Sequence, residues 1–339
     1  MNMRILNSAE AALEATKLLL RHDPGFIVIG EGVPDPKACF GTTRGLKKKF
    51  PDRVFDTPIS ENGMTGVCVG LALNGFRPLH IHMRADFLLY AMDQIVNNAA
   101  KWHSMFGGAK SVPMVIKAFI GKGWGSGHQH SQNLESMFAH VPGLKVVCPS
   151  NPKNTKGLMI AASRDPNPVL ILEHRWIHHL KGEVPKGLYA TQIGRAETVQ
   201  VGSECLVITW GAMVSEAIRA SKLIAPMSVE ILDLVSLRPI DEAAIVRATS
   251  RHRRVLILCE SWGFCGIASE LYSMIVRNGF AGELSTMALP DCYPSSSPAI
   301  TKEYYPNHVS IAERISMSKI HGVKDIPHDI PDMSFAGPF

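Results

Sequence analysis

The 339-residue sequence contains no long hydrophobic run, and no stretch of about 18 residues is continuously apolar. A transmembrane helix needs about 20 such residues, so we expect no membrane span. The first ten residues also lack the apolar core of a signal peptide. We therefore expect the chain to start as a mature protein and to enter an amphipathic helix directly.

Paired cysteines are missing as well. The seven cysteines are scattered, their number is odd, and none forms a Cys-x-x-Cys pair. Structural zinc is therefore not expected. Reduced, mostly buried thiols in a cytoplasmic compartment are expected instead.

The charge is low and mixed, with a net charge of +5. The two short basic clusters, 47–49 and 251–254, are not accompanied by an aromatic-rich basic strand or by a DNA-reading motif. Nucleic-acid binding is therefore not expected, although a basic patch leaves an acidic protein partner open.

What is present is a globular composition, 46% hydrophobic and 19% charged, in a chain long enough for two domains. Short apolar strands alternate with helices, which predicts α/β domains with mostly parallel sheets covered on both faces. We place a first domain at 1–175, a linker rich in His, Lys and Gly at 176–200, and a smaller α/β domain at 201–339.

Glu61 stands at the start of a helix that is otherwise small and apolar, and a strand-like segment, 53–59, leads into it. An acid at a helix N-terminus is favoured by the helix dipole, by roughly 0.3–1 kcal/mol. A capping role would therefore explain Glu61 without any catalytic function.

A glycine-rich segment, 121–127, leads into His128, Gln129 and His130. It has neither the Gly-x-Gly-x-x-Gly spacing nor the Walker pattern of nucleotide-binding loops. His130 can transfer protons near neutral pH, but a hydrogen-bonded structural histidine is the alternative. The local sequence supplies no further ligands for a metal held by His128 and His130.

Glu61, Phe87 and the glycine-rich segment all follow predicted strands. Because ligands bind at the carboxyl edge of parallel sheets, these residues are expected to share one rim. Residue types and spacing alone predict no more than a polar site there.

At these residues the sequence resembles the β subunit of the thiamin-diphosphate-dependent decarboxylating component of 2-oxo acid dehydrogenase complexes, of the pyruvate and branched-chain type, in the transketolase-like superfamily. The resemblance covers nearly the whole chain. The matching stretches are 40–46, 53–63, 85–87, 93–97, 99–102, 129–132, 140–146, 229–234 and 237–241.

The resemblance implies a role for each matching position. Glu61 corresponds to the glutamate that hydrogen-bonds N1′ of the cofactor's aminopyrimidine, and Phe87 and Met83 correspond to the wall against that ring. His130 corresponds to a histidine that handles the substrate or acyl group. A monovalent-cation site for K⁺ is implied at Met114, Ala162, Ser163, Asp165 and Asn167.

The sequence contains no Gly-Asp-Gly, the motif that holds magnesium and the diphosphate in thiamin-diphosphate enzymes. The resemblance therefore implies a separate α subunit that holds Mg²⁺, an α₂β₂ heterotetramer, a 2-oxo acid substrate and a lipoyl-bearing acyltransferase as acceptor.

Arg84 and His128 depart from the family pattern. Arg84 is interpreted as a guanidinium for an anionic substrate group or, alternatively, as an ion-pair partner of the α chain. His128 is a second substrate candidate.

Two rival functions remain open: a split transketolase or acyloin-type ligase or lyase subunit, and a non-catalytic assembly subunit. The presence of Glu61, Phe87 and His130 together argues against the assembly subunit, since a scaffold needs none of them.

Overall fold

The computed structural model describes residues 2–122 and 125–320. These residues form two compact units. The first comprises the described residues up to Ile120 together with Met137–Ile193, and the second comprises Gly121–Ser136 together with the described residues from Gly194 onward.

The first half of the chain alternates strands with helices. In order, the elements are β1 (Met3–Asn7), α1 (Ser8–His22), β2 (Phe26–Gly30), α2 (Leu46–Lys49), β3 (Val54–Phe55), α3 (Glu61–Leu73), β4 (Arg77–His82), a 3₁₀ helix (Ala85–Ala91), a π-helical segment (Asp93–Ala99), α4 (Trp102–Met105), β5 (Val115–Ile120), α5 (Glu135–Ala139), β6 (Lys145–Val147), α6 (Pro152–Arg164), β7 (Val169–His174), a second 3₁₀ helix (Arg175–His179) and β8 (Lys181–Pro185).

The second half repeats the alternation. Its elements are β9 (Glu197–Gln200), β10 (Cys205–Thr209), α7 (Ala212–Leu223), β11 (Val229–Asp233), β12 (Ser236–Arg238), α8 (Glu242–Thr249), β13 (Arg254–Trp262), α9 (Ile267–Arg277), β14 (Glu283–Leu289), α10 (Pro298–Tyr304) and α11 (His308–Ser316).

The first unit is built on a parallel sheet with the strand order β6-β7-β5-β4-β2-β3. Strands β2, β5 and β7 are buried along their whole length. Continuous apolar strands of this kind require cover on both faces, which the helices supply. All of these strands point the same way, so their carboxyl ends lie at one edge.

The second unit has a sheet with the order β14-β13-β10-β11-β9, in which only the edge strand β9 runs antiparallel. The α/β class with mostly parallel sheets in both domains is therefore confirmed. Five of the seven free cysteines are buried, and Cys265 and Cys292 are exposed.

The segment 176–200 is more ordered than the linker interpretation implies. Strand β8 pairs antiparallel with β1, and β9 pairs with β11. The change between units falls at Ile193, and residues 121–136 belong to the second unit rather than to a continuous first domain. Backbone pairing with distant strands, which leaves little trace in local composition, explains the order within 176–200.

The sequence predicts a helix over 8–21 with Ser8 as its N-cap. In the structure α1 begins one residue earlier, and Asn7 is the N-cap. The Asn7 side chain accepts the Glu10 N–H at 2.8 Å, and the Glu10 carboxylate accepts the Asn7 N–H at 2.9 Å. This reciprocal capping box fixes the start of the helix. Within the described ranges, no helix combines the length and apolar character needed to cross a bilayer.

Candidate active site

Glu61 is the first residue of α3 and lies at the carboxyl edge of the first sheet, after β3. Its side chain is half-buried, and among the described residues no group hydrogen-bonds to its carboxylate. The Thr65 hydroxyl donates instead to the Glu61 backbone carbonyl, at 2.6 Å. Glu61 therefore makes no capping hydrogen bond, and its carboxylate is available to a ligand.

Two further acids stand beside Glu61. Glu31 follows β2 directly and Asp56 follows β3 directly, and Asp56 accepts the Gly32 N–H at 3.0 Å. Burial raises the pKa of Glu31, and the neighbouring carboxylates of Glu61 and Asp56 raise it further. The sequence analysis missed Glu31 and Asp56, although their position immediately after strands was the signal that could have identified them.

Met83, Arg84 and Phe87 form one wall of this edge. Met83 follows β4, Arg84 is the N-cap of the first 3₁₀ helix, and the Phe87 N–H donates to the Arg84 carbonyl at 3.2 Å. Met83 and Phe87 are half-buried. Helix α3 packs against both β4 and this 3₁₀ helix, so the first unit brings Glu61 and the predicted aromatic wall to the same edge.

A pair of buried histidines lies behind α3. The His80 and His82 ring centroids are 4.2 Å apart, and His80 Nε2 lies 3.1 Å from the Thr65 hydroxyl. Burial lowers the pKa of His80 to about 4, although its hydrogen bond to the Ile29 carbonyl opposes this, and burial next to His80 lowers the pKa of His82 well below the ordinary value. Both rings are therefore neutral at pH 7.

His128 and His130 are exposed and belong to the second unit. Their segment is anchored there by the Asn133 amide, which donates to the Glu260 carbonyl at 2.6 Å. Gly127 has a φ of +67°, a left-handed conformation that favours glycine, and an added Cβ would also displace the Ser296 hydroxyl 2.4 Å away. The catalytic role of His130 and the substrate role of His128 remain predictions.

The oxygen atoms that are predicted to bind K⁺ already have hydrogen-bond or ion-pair partners. Asp165 is paired with Lys145 and accepts the Asn167 N–H at 3.0 Å. The carbonyls of the remaining residues accept hydrogen bonds: Met114 from Val169, Ala162 from Asp165 and Ser163 from Arg77. Lys145 thus supplies the positive charge beside Asp165, and K⁺ binding at this position remains a prediction.

The residues present fit the pyrimidine half of thiamin diphosphate. An unpartnered carboxylate at Glu61 can hydrogen-bond a ring nitrogen, and Met83 and Phe87 offer apolar surface to a flat ring. Across residues 2–122 and 125–320 there is no group of three or more His, Cys, Asp or Glu side chains that could hold a metal ion.

Comparisons with known proteins identify two family domains in the chain. Residues 6–177 match the family described as "Transketolase, pyrimidine binding domain", and residues 194–311 match "Transketolase, C-terminal domain". A solved structure described as "Split gene transketolase, inactive beta4 tetramer" has the same fold, with a TM-score of 0.74, 20% identity and coverage of 92% of this chain and 97% of that chain.

Two curated relatives are similar over most of their length. The acetoin:2,6-dichlorophenolindophenol oxidoreductase subunit beta of Cupriavidus necator is 37% identical, covering 91% of this chain and 96% of the relative. The pyruvate dehydrogenase E1 component subunit beta of Acholeplasma laidlawii is 36% identical, covering 82% and 86%. The chain therefore belongs to the transketolase-like family of 2-oxo acid dehydrogenase β subunits.

Proposed function

We propose that the chain is the β subunit of a thiamin-diphosphate-dependent 2-oxo acid dehydrogenase whose active site is completed by a separate α subunit in an α₂β₂ heterotetramer. The observation that carries the proposal is the half-buried Glu61 carboxylate, which has no described hydrogen-bond partner at the edge where Phe87 also lies. A hydrogen bond to a ligand nitrogen would give this carboxylate a partner and a function.

The chain's own residues bind and orient one half of the cofactor. When bound, thiamin diphosphate would supply a nucleophilic carbon for addition to the 2-oxo group and an acceptor for the electrons released on decarboxylation. Glu61 would hold a proton at N1′ of the aminopyrimidine, and Phe87 and Met83 would hold that ring and exclude water from it. His130 is proposed to exchange a proton with the substrate or acyl group.

The other half of the site belongs to the partner. The sequence has no Gly-Asp-Gly, the motif that holds magnesium and the diphosphate in thiamin-diphosphate enzymes. The α subunit is therefore proposed to hold Mg²⁺ and the diphosphate. A lipoyl-bearing acyltransferase is the proposed acceptor of the acyl group, and K⁺ bound near Asp165 is proposed to be structural.

Cleavage of an acyloin is the second candidate. The relative from Cupriavidus necator, and a further relative from Bacillus subtilis that is 34% identical, are both named as acetoin oxidoreductase subunits. An acyloin carries no carboxylate to lose, so the two functions differ in the group released from the substrate. A substrate screen of the reconstituted α–β complex, with lipoyl reduction and dye reduction read separately, distinguishes them.

Calorimetry with thiamin diphosphate and Mg²⁺ tests the shared site. The full-length chain is titrated alone and then mixed with a candidate α subunit. Binding in the mixture only is the expected result, because neither chain holds both halves of the cofactor. Tight binding by the chain alone would contradict the division of the site.

A further inference from the structure

Residues 133–136 of the chain lie at the carboxyl edge of the second sheet. In open α/β sheets this edge and the adjoining helix N-termini are where ligands bind. Here Trp210, which follows β10, donates its ring N–H to the Glu135 carboxylate at 3.3 Å. The Ile267 N–H at the start of α9 donates to the Ser136 hydroxyl at 3.2 Å. The chain itself therefore takes the place where a ligand of such a sheet usually lies.

Asn133 joins this segment to β13. Its side-chain amide donates to the Glu260 carbonyl at 2.6 Å, and Asn133 is only 8% exposed. Glu260 also contacts the chain at an earlier position, since its carboxylate lies 3.6 Å from Lys122 Nζ. The Lys122 ammonium in turn lies 4.0 Å from the centroid of the Tyr305 ring, within the range of a cation–π contact. One residue of β13 therefore contacts the chain both before and after the exposed histidines.

Between these two contacts the chain forms an exposed turn. The His130 N–H donates to the Gly127 carbonyl at 3.4 Å, which closes the turn 127–130. Residues 128–130 are exposed, whereas Gly127 and Ser131 on either side are buried. The position of His130 therefore depends on how the buried residues on both sides of the turn are held.

The turn also contacts the segment that follows β14. The ring centroids of His128 and Tyr293 are 5.8 Å apart, and Tyr293 meets Trp262 edge-on at 5.7 Å. Edge-to-face aromatic pairs are favourable beyond the area that they bury. The Trp262 ring N–H donates to the Cys292 carbonyl at 3.0 Å, which fixes Trp262 against the same segment. Because Tyr293 is 63% exposed, a substitution there leaves the core intact.

We propose that Asn133 and Tyr293 are positioning residues for His130, which they hold through the two sides of the exposed turn. The proposal rests on the proton-transfer role proposed above for His130. Proton transfer requires the two groups to lie within hydrogen-bond reach, and a displacement of about 1 Å can cost about 100-fold in rate. A histidine on an exposed turn meets this requirement only when contacts outside the turn hold it in place.

The first test needs neither cofactor nor partner. Amide hydrogen exchange is measured on the full-length wild-type chain and on Asn133→Asp, which keeps the side-chain shape but replaces the donor by an oxygen. We expect the amides of residues 130–136 to exchange about 10-fold faster, because a lost hydrogen bond is worth about a factor of ten. Tyr293→Leu should speed exchange of the His130 amide to a smaller extent. Unchanged exchange in both variants would overturn the proposal.

Asn278→Asp is the matched control for Asn133→Asp. Asn278 is exposed in the same unit, and its amide also donates to a backbone carbonyl, that of Met274, at 2.9 Å. Exchange of residues 130–136 should match the wild type in this variant. Tyr293→Leu, at an exposed position, keeps the test decisive if Asn133→Asp fails to fold.

The second test is a double-mutant cycle in the reconstituted α–β complex, with pyruvate and 2-oxoisovalerate as substrates. We expect Asn133→Asp to lower kcat about 10- to 100-fold with little change in KM, and Tyr293→Leu to lower kcat less. In a His130→Ala background neither substitution should lower kcat further, because the residue that they position is absent. Equal losses in both backgrounds would show a purely structural role and overturn the proposal, as would wild-type kcat in both variants.

The two tests together separate this inference from the proposed function. A complex that turns over neither 2-oxo acid, although Asn133→Asp speeds exchange around His130, would contradict the proposed function and support the anchoring of the turn. A complex that is active, and in which the losses of Asn133→Asp and His130→Ala multiply, would overturn the positioning role alone.

Discussion

Glu61 shows how a single side chain can point to a function. An acid in the first turn of a helix normally contributes to the helix itself, through the dipole or through a hydrogen bond to a free N–H. Here Ser60, the N-cap, makes no side-chain capping bond, and the Glu61 carboxylate has no partner among the described residues. A half-buried carboxylate without a partner is better explained by a ligand than by helix stability.

We therefore expect Glu61→Ala to lower turnover of the reconstituted complex by a factor of about 10² or more, the usual contribution of a proton-transferring group. Stability should change by about 1 kcal/mol or less, because only the dipole interaction is lost. Steady-state kinetics and thermal denaturation measure the two effects. Glu183→Ala, which removes an exposed glutamate, is the control, and undiminished turnover of the Glu61 variant would favour an assembly subunit.

The His80 ring links the core to the same helix. Its Nδ1 lies 3.3 Å from the Ile29 carbonyl, which can only accept, so Nδ1 carries the proton of the neutral ring. Nε2 then accepts from Thr65, whose single hydroxyl proton is also directed at the Glu61 carbonyl. One proton cannot satisfy both acceptors, so the neutral ring leaves one of these contacts without a proton.

Acid should destabilise the chain through these histidines. In the folded state both pKa values are lowered, so the unfolded chain binds the extra protons as pH falls below about 6.5. Their stabilising contribution is complete above about pH 7 and declines toward pH 4, by about 1.4 kcal/mol per pH unit for each ring.

The substitution His82→Leu tests this effect. Among the described residues, Nε2 of His82 is buried without a partner, so its removal should cost little at pH 7.5. The urea midpoint should fall less steeply between pH 7.5 and pH 5 in this variant than in the wild type. His140→Leu removes an exposed ring and should keep the wild-type slope. Equal slopes in all three proteins would contradict the assignment.

At the scale of the element, strands β5 and β7 are joined by charges as well as by backbone bonds. Lys117 and Glu173 are each 1% exposed and 2.9 Å apart, and His178 Nε2 lies 2.5 Å from the other Glu173 oxygen. Burial alone would raise the pKa of Glu173, but Lys117 and His178 lower it to about 2. The pair is stable only while both charges are present.

Breaking this pair should therefore cost more than replacing it. We expect Glu173→Leu to lower the free energy of unfolding by about 3–5 kcal/mol, because Lys117 is left as an uncompensated buried charge. The double variant Lys117→Met/Glu173→Leu should lose less than the single variant. Urea denaturation measures both, and a double variant that is less stable than Glu173→Leu would contradict the argument.

The surface pair Arg277–Glu270 is the control for that series. Its side chains are 60% and 56% exposed, so water screens the charges and removal of either should cost less than about 1 kcal/mol.

The segment after β4 shows the limit of periodicity. Apolar spacing from Phe87 to Met105 predicts one continuous helix, but the structure has a 3₁₀ helix, a π-helical segment and a short α-helix in succession. Within the π-helical segment the Gln94 side chain lies against α3, where an added Cβ on Gly66 would be 3.4 Å from its oxygen. Packing against α3 near Gly66 therefore determines the π-helical geometry. Gly70, one turn further along α3, has no neighbour within 4 Å of an added Cβ.

For the whole molecule, exposed apolar side chains indicate where a partner is needed. Ile59 is 84% exposed and Tyr90 is 70% exposed, and they stand near Glu61 and Phe87 in sequence. Large apolar groups exposed beside an incomplete site are typical of an interface.

We expect Ile59→Glu or Tyr90→Glu to weaken association with the α subunit by about 10-fold or more, since apolar anchors dominate interface energies. Thermal stability of the isolated chain should be unchanged because neither side chain is buried. Sedimentation velocity measures assembly. Val201→Glu, at an 85% exposed position in the second unit, is the control. If all variants assemble equally well with the α subunit, the interface does not include Ile59 or Tyr90.

The sequence by itself determined the two α/β domains, the strands Phe26–Gly30 and Cys205–Thr209, and the resemblance that singles out Glu61, Phe87 and His130. These features depend on local apolar patterns and on short motifs, which are written in consecutive residues. Only the tertiary structure decided which distant residues meet. It placed residues 121–136 in the second unit, paired β8 with β1 and stacked the Arg175 guanidinium on the Phe40 ring. The path of the chain and the packing of the core set these contacts, and no local pattern encodes them.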